Sequence, residues 1–340
     1  MDDKLKIKYN QGVMNYYKNN KKSKLALEAI KCLGEARNDF NAKYMRKILT
    51  NLNALEPEVD LERARKINES KNEFNAKYSY EVLSNPKTFE AGIALYGAEI
   101  INQSKNDFNA KYACKVLCDS NPIEASIALD GAEIINQSKN EFNAEYACEV
   151  LCNSNAIEAN VALDAAEIIN QSKNDFNAFY ASEVLKNPEA LKANIGILGA
   201  EIINKCSNIS SAMYTSIILM NQKLIDAGIV IKAAEILSKS PKSFNAEYAG
   251  RVLTAPSYIN DPDFNKSRMS LLAAEFINYI PSEALLEVTY PIITANLFVE
   301  EGISLNLAYK LAEEYFKQKK IDDANLKGFS RKMNRNIDTK

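Results

Sequence analysis

The chain has 340 residues, of which 46% are hydrophobic and 25% charged, with a net charge of −2. That is enough apolar material for a sizeable core, and it lacks the basic footprint of a nucleic-acid binder. The absence of histidine removes the commonest general base and the commonest metal ligand together.

The N-terminal segment, 1–23, is polar. It holds Lys4, Lys6, Lys8, Lys18, Lys21 and Lys22 and reads as an N-terminal cap. The opening Met1-Asp2-Asp3-Lys4 has no apolar h-region, and no apolar run reaches the ~18 residues of a membrane span. Six cysteines in this length do not resemble a disulfide framework. A cytoplasmic protein without membrane contact is expected, with export by a signal-independent route left open.

From residue 24 to 254 the chain is periodic. A tyrosine returns every 34 residues, at Tyr44, Tyr78, Tyr112, Tyr146, Tyr180, Tyr214 and Tyr248. In six of the seven copies it closes the motif F-N-A-x-Y, and Ser210-Ser211-Ala212-Met213-Tyr214 replaces it in the other. Segments 97–130 and 131–164 are identical at 27 of 34 positions. A fixed period of this length signals stacked structural repeats. The frame breaks near 257–265, where about six residues are inserted before Ala274-Glu275-Phe276-Ile277-Asn278, an eighth opening. The region 255–340 reads as a divergent helical C-terminal cap with a basic tail, Lys327, Arg331, Lys332 and Arg335.

Each unit reads as two helices. Helix A spans about 123–138. Asn121-Pro122 signals its start, with comparable signals at Asn85-Pro86 and Asn187-Pro188. Helix B spans about 141–152, with Asn140 as N-cap and Glu141 at the positive end of the helix dipole. The same asparagine recurs at Asn38, Asn72, Asn106 and Asn174. In helix B, Phe142, Tyr146 and Val150 form an apolar stripe. In helix A, Ile127, Ala128, Ala132, Ile134 and Ile135 cover a broader arc. Such units depend on their neighbours for burial, so the array is one elongated body.

A 34-residue helix–turn–helix array with Ala132 and Ala144 at small positions and Ile135 at a large one resembles the tetratricopeptide repeat family across about 24–254. The aromatic that family carries late in helix B falls here on Cys114, Cys148 and Ser182. The resemblance implies an all-α fold: a right-handed α-solenoid, or superhelix, of about seven 34-residue helix-turn-helix repeats with divergent terminal caps. It also implies a peptide or protein partner bound on a concave helix-A surface.

The candidate binding residues lie on helix A: Glu99, Asn102, Asp130, Glu133, Asn136, Asp164, Glu167, Asn170, Glu201, Asn204 and Glu235. Asp130 and Glu133 share one face with Ser126 and Gln137. Such a ladder of carboxylates and amides suits a basic or extended peptide; the alternative is a solvated face copied by duplication. Arg65 and Lys31 replace the glutamate in the first two units. A second ladder, Asn41, Asn75, Asn109, Asn143, Asn177 and Asn245, opens helix B and can clamp a peptide backbone or cap its own helix. Cys114/Cys118 and Cys148/Cys152 could supply four thiolates to zinc, although the 8–10 Å between neighbouring helices makes one tetrahedral site awkward. Small filler is the alternative. Lys111 and Lys115 are expected to pair with Glu145 and Glu149 of the next unit.

No glycine-rich phosphate loop, G-x-S-x-G motif or asymmetric carboxylate pair is present. The expectation is therefore non-catalytic, with no cofactor and no metal: a scaffold or adaptor for a basic protein or peptide. The alternatives are a nucleic-acid-binding array, which the charge disfavours, and an exported bacterial effector or host-interaction protein.

Overall fold

A computed structural model of the chain describes residues 3–19, 23–50, 57–119, 125–153, 159–255 and 264–294. Every described element is a helix, with no strand among the described residues. None of the described helices is long and apolar enough to cross a membrane. The chain divides into two compact units, Met1–Asn204 and Lys205–Lys340. The division falls inside the 34-residue register rather than at its end.

The first unit contains α1 (Asp3–Asn19), α2 (Ser23–Gly34), α3 (Asp39–Leu49), α4 (Pro57–Asn68), α5 (Glu73–Ser84), α6 (Pro86–Glu90) and α7 (Ala94–Gln103). It continues with α8 (Asp107–Asp119), α9 (Ala125–Asn136), α10 (Glu141–Cys152), α11 (Ala159–Asn170), α12 (Asp175–Lys186), α13 (Pro188–Lys192) and α14 (Gly196–Ile203). Its two long helix types form two layers. Helices α3, α5, α8, α10 and α12 pack side by side as the B layer; α2, α4, α7, α9, α11 and α14 do so as the A layer. Each B helix also packs on the A helix that follows it. The buried seam repeats residue for residue: Ala110, Val116 and Leu117 of α8 recur as Ala144, Val150 and Leu151 of α10, against Ala132 and Ile135 of α9. At one end α1 buries Val13 and Tyr17 against α2 and α3.

The second unit contains α15 (Ile209–Leu219), α16 (Gln222–Asp226), α17 (Val230–Ser238), α18 (Ser243–Thr254), α19 (Phe264–Asn278) and α20 (Glu283–Thr294). Helix α15 packs on α17 and α18, and α18 packs on α19. Residues 295–340, with the expected basic tail, lie outside the described residues, as does Asn121-Pro122.

The start of helix B follows its sequence signal. Asn38, Asn72, Asn140, Asn174 and Asn208 sit in extended backbone, and each Oδ1 accepts from the backbone N–H three residues on. Asn106 makes the same bond, at 2.9 Å.

Helix A departs from expectation where its start is described. Asn85-Pro86 and Asn187-Pro188 do open helices, but these last five residues and stop. The cause is a left-handed residue: Gly92 (φ 71), Asn194 (φ 57) and Gly228 (φ 68). The isoleucine that follows each one closes the turn by donating its N–H five residues back: Ile93 to Thr88, Ile195 to Ala190 and Ile229 to Leu224. This is a helix-ending motif built on the backbone freedom of glycine or asparagine. The helix-A segment is thus a short helix, a sharp turn and then helix A proper, so these units hold three helices rather than two.

A second departure concerns the helix-B stripe. Val150 is buried and Tyr146 half-buried, but Phe142 is 48% exposed. The inward place beside it is taken by Asn143, which is fully buried.

The periodic tyrosine has a packing role. Tyr44 lies against Tyr80, with ring centroids 5.6 Å apart. In the same register Tyr214 lies on Gly250, where an added Cβ would meet the ring Cδ1 at 2.5 Å. In both cases the tyrosine meets the position two residues after the next tyrosine in the register. That position is elsewhere occupied by Cys114, Cys148, Ser182 and Ser216, like Gly250 small side chains.

Candidate partner-binding face

The candidate residues of the first unit sit on α7, α9, α11 and α14, which lie side by side. The structure separates the carboxylates from the amides. Glu99, Asp130, Glu133, Asp164, Glu167 and Glu201 are all exposed. Asp130 and Glu133, like Asp164 and Glu167, are three residues apart and share a helix face. At the equivalent positions before and after this pair of acids stand Tyr96, 67% exposed, and Leu198, 43% exposed.

Glu99 has a partner: Lys66 Nζ lies 3.6 Å away and also reaches Glu69 at 3.0 Å. Asp130, Glu133, Asp164, Glu167 and Glu201 form no ion pair among the described residues. Glu235 lies in the second unit, on α17, half-buried and 3.8 Å from Lys232.

The asparagines of the same helices point into the stack. Asn136 Nδ2 donates to the Ile100 carbonyl at 2.6 Å, and its Oδ1 accepts from Ser104 Oγ. Asn102 donates to Lys66 O at 3.0 Å and accepts from Ser70 Oγ at 2.6 Å and Ser79 Oγ at 3.1 Å. Asn170 donates to Ile134 O at 2.8 Å, and Asn204 to Ile168 O at 2.8 Å while accepting from Ser172 Oγ at 2.7 Å. Each amide caps the C-terminus of the preceding A helix, whose last carbonyls have no partner in their own helix. The bond survives the insertion near 257–265: Asn278 reaches Ile236 O at 2.7 Å across 42 residues rather than 36. The serine partners were missed in the sequence, although Asn-x-Ser closes helix A at 68–70, 102–104, 136–138 and 170–172.

The second ladder is also internal. Asn143 Nδ2 donates to Asn170 O and Ser172 O, both at 3.1 Å. Asn41, Asn75 and Asn109 bridge the equivalent carbonyl pairs at 3.0–3.3 Å, and Asn245 bridges Ile277 O and Ile280 O at 2.7 and 3.0 Å. Asn177 donates to Asn204 O at 3.5 Å. These asparagines clamp a peptide backbone, but it is the backbone of the next unit in their own chain. Where Ser211 stands in place of the asparagine, its hydroxyl donates to Leu237 O, and the cap residue Asn208 extends Nδ2 to Ser240 O at 3.1 Å.

Cys32, Cys114, Cys148 and Cys206 are buried, and Cys118 and Cys152 half-buried. Cys114 and Cys118 lie 3.9 Å apart, as do Cys148 and Cys152. The Cys118 contact and burial push the Cys114 thiol well above its ordinary pKa. Burial raises Cys32 and Cys206 in the same direction, so these thiols resist becoming the thiolate that metals and electrophiles require. No group of three or more Cys, Asp or Glu is placed to hold a metal ion among the described residues.

The expected pairing of Lys111 and Lys115 with Glu145 and Glu149 is not formed. Lys111 Nζ lies over the Tyr112 ring, 4.6 Å from its centroid. Glu149 is instead taken by Lys186 at 3.0 Å, which also holds Glu183 at 2.8 Å.

The face can therefore offer fixed negative charge on a rigid support, bordered by two exposed apolar side chains. Comparison with protein-family models, with curated proteins and with solved structures found no match.

Proposed function

We propose that this protein is a non-catalytic scaffold or adaptor that takes a basic segment of a peptide or protein partner along its helix-A face. In this reading residues 24–254 form a right-handed α-solenoid of about seven 34-residue repeats, with 1–23 and 255–340 as divergent caps. The observation that carries it is the set Asp130, Glu133, Asp164, Glu167 and Glu201, five exposed carboxylates in register on three adjacent helices with no ion pair among the described residues. Like charges held side by side repel, and a bound cation relieves that repulsion. The asparagine bonds between units supply the preorganisation, so little ordering cost falls on the protein when a partner binds. Complementary charge would also steer the encounter and make it sensitive to salt.

The test is fluorescence anisotropy with a labelled lysine-rich peptide and a matched glutamate-rich one. Exposed charge pairs contribute about 0.5–1 kcal/mol each. The triple variant Glu133→Lys, Glu167→Lys, Glu201→Lys should therefore weaken binding of the basic peptide about 10- to 100-fold, with the helical circular dichroism unchanged. Equal affinity for both peptides, or an unaffected triple variant, would overturn the reading.

A further inference from the structure

The outward side of the B layer in the first unit changes sign along its length. On α5 and α8 it carries Lys77, Lys111 and Lys115 with one acid, Glu81, all exposed; on α10 and α12 it carries Glu145, Glu149 and Glu183, all half-buried, with Lys186 bridging the last two. Lys77 and Lys111 lie over the rings of Tyr78 and Tyr112, at 4.5 and 4.6 Å. Lys111, Lys115 and Glu145 have no oppositely charged partner among the described residues. The acidic half also exposes two aromatic rings, Phe142 at 48% and Phe179 at 39%. Phe179 sits edge-on to Tyr146, with centroids 5.6 Å apart.

We infer that this face is the contact surface for a second copy of the chain. A patch that is basic on one side and acidic on the other complements itself under a two-fold axis. With that axis along the helix direction between α8 and α10, α8 of one copy faces α10 of the other. Lys111 then meets Glu145 and Lys115 meets Glu149, because each pair is 34 residues apart and so stands at the same height on equivalent helices. Both pairs occur twice. The same operation brings Lys77 of α5 to Phe179 of α12, an ammonium against an exposed ring. Glu81 falls opposite Glu183 at the rim, where Lys186, already 2.8 Å from Glu183, offsets the like charge.

The extent is adequate. Four helices of about 18 Å at spacings of ~8–10 Å present roughly 600 Å² per copy, near the ~800 Å² per partner of a standard interface. A moderate, salt-sensitive dimer is expected.

Sedimentation velocity over a concentration series in low salt reads the outcome. Wild type should move toward twice the 38.0 kDa chain mass as concentration rises through the series, and dissociate as salt screens the pairs. Lys111→Glu with Lys115→Glu should weaken the dimer at least about tenfold, as should Glu145→Lys with Glu149→Lys, since each places four like-charge contacts in the interface. An equimolar mixture of the two double variants should form a heterodimer, and the four-site swap should dimerise like wild type. A monomeric wild type, a dimer indifferent to either reversal, or a swap that fails to restore association would overturn the inference. Circular dichroism of each variant separates lost association from lost folding.

Discussion

The bonds that join successive units make a direct prediction at Asn143. Its amide donates to two carbonyls of the next unit, Asn170 O and Ser172 O, each at 3.1 Å, and the side chain is fully buried. Asn143→Ala removes both bonds and returns no water to the carbonyls. Two neutral hydrogen bonds at about 1 kcal/mol each, plus a desolvation cost of about 1–2 kcal/mol for the acceptors left behind, give about 3–4 kcal/mol. The same truncation removes Asn143 Oδ1, which is buried without a hydrogen-bond partner among the described residues. That relief offsets about 1 kcal/mol or more, leaving an expected loss of about 1–3 kcal/mol. Asn143→Ser should cost roughly half as much, because Ser211 already stands at the equivalent place and still bonds the end of the next A helix, at Leu237 O, one carbonyl earlier in the register. Urea unfolding followed by circular dichroism gives the magnitudes, and amide hydrogen exchange across α10, α11 and α12 locates the weakened junction. The reasoning fails if the alanine variant loses under about 0.5 kcal/mol, a surface-like value. It also fails if serine costs as much as alanine.

Two further outcomes follow from the tyrosine register. Gly250→Ala places a Cβ 2.5 Å from Tyr214 Cδ1 and 2.8 Å from Cγ, at the root of the ring where rotation gives little relief. A loss of about 1–3 kcal/mol is expected from the overpacking, read by thermal unfolding; Tyr214→Leu in the same chain should recover part of it. Burial, together with Glu145 and Glu141 nearby, pushes the Tyr112 hydroxyl up to about 12. A tyrosine ionising late in the folded state supports stability below about pH 10, its unfolded value, and loses that support as pH rises toward 12. Stability measured across that window should fall less steeply for Tyr112→Phe, and the slowest phenolate absorbance change should vanish with it. An unchanged slope would remove the proposed environment.

Much of the architecture could be read from the chain itself. The 34-residue tyrosine, the F-N-A-x-Y motif and the Asn-x-x-Asn spacing placed helix B within a residue or two, because an N-cap and a periodic apolar seam are local signals. The eighth opening at 274–278 and the inserted residues before it were equally legible, and the Asn278–Ile236 bond across 42 residues bears that out. Helix A was read less well. Asn-Pro announces a helix but says nothing about its length, and Gly92 and Asn194 end it one turn later by adopting a left-handed backbone, as Gly228 does after the helix opened by Asn221-Gln222. Phe142 illustrates another limit: a helical stripe has two edges, and only the neighbouring helix decides which side chain on it is covered. Asn143 takes the interior there because it can bond across the layer, while Phe142 is left outward.

The candidate face divides on the same principle. Sequence alone determined that carboxylates and asparagines recur together on helix A, since recurrence is a property of spacing. It could not tell them apart, because both are polar and both repeat. Tertiary structure decided that the asparagines turn inward and the carboxylates outward. An amide has a donor for a bare carbonyl at the end of the preceding A helix and an acceptor for the serine hydroxyl that follows it, whereas a carboxylate has only acceptors and would face carbonyl oxygens it repels. Only the stacking of one unit on the next brings those helix ends within reach.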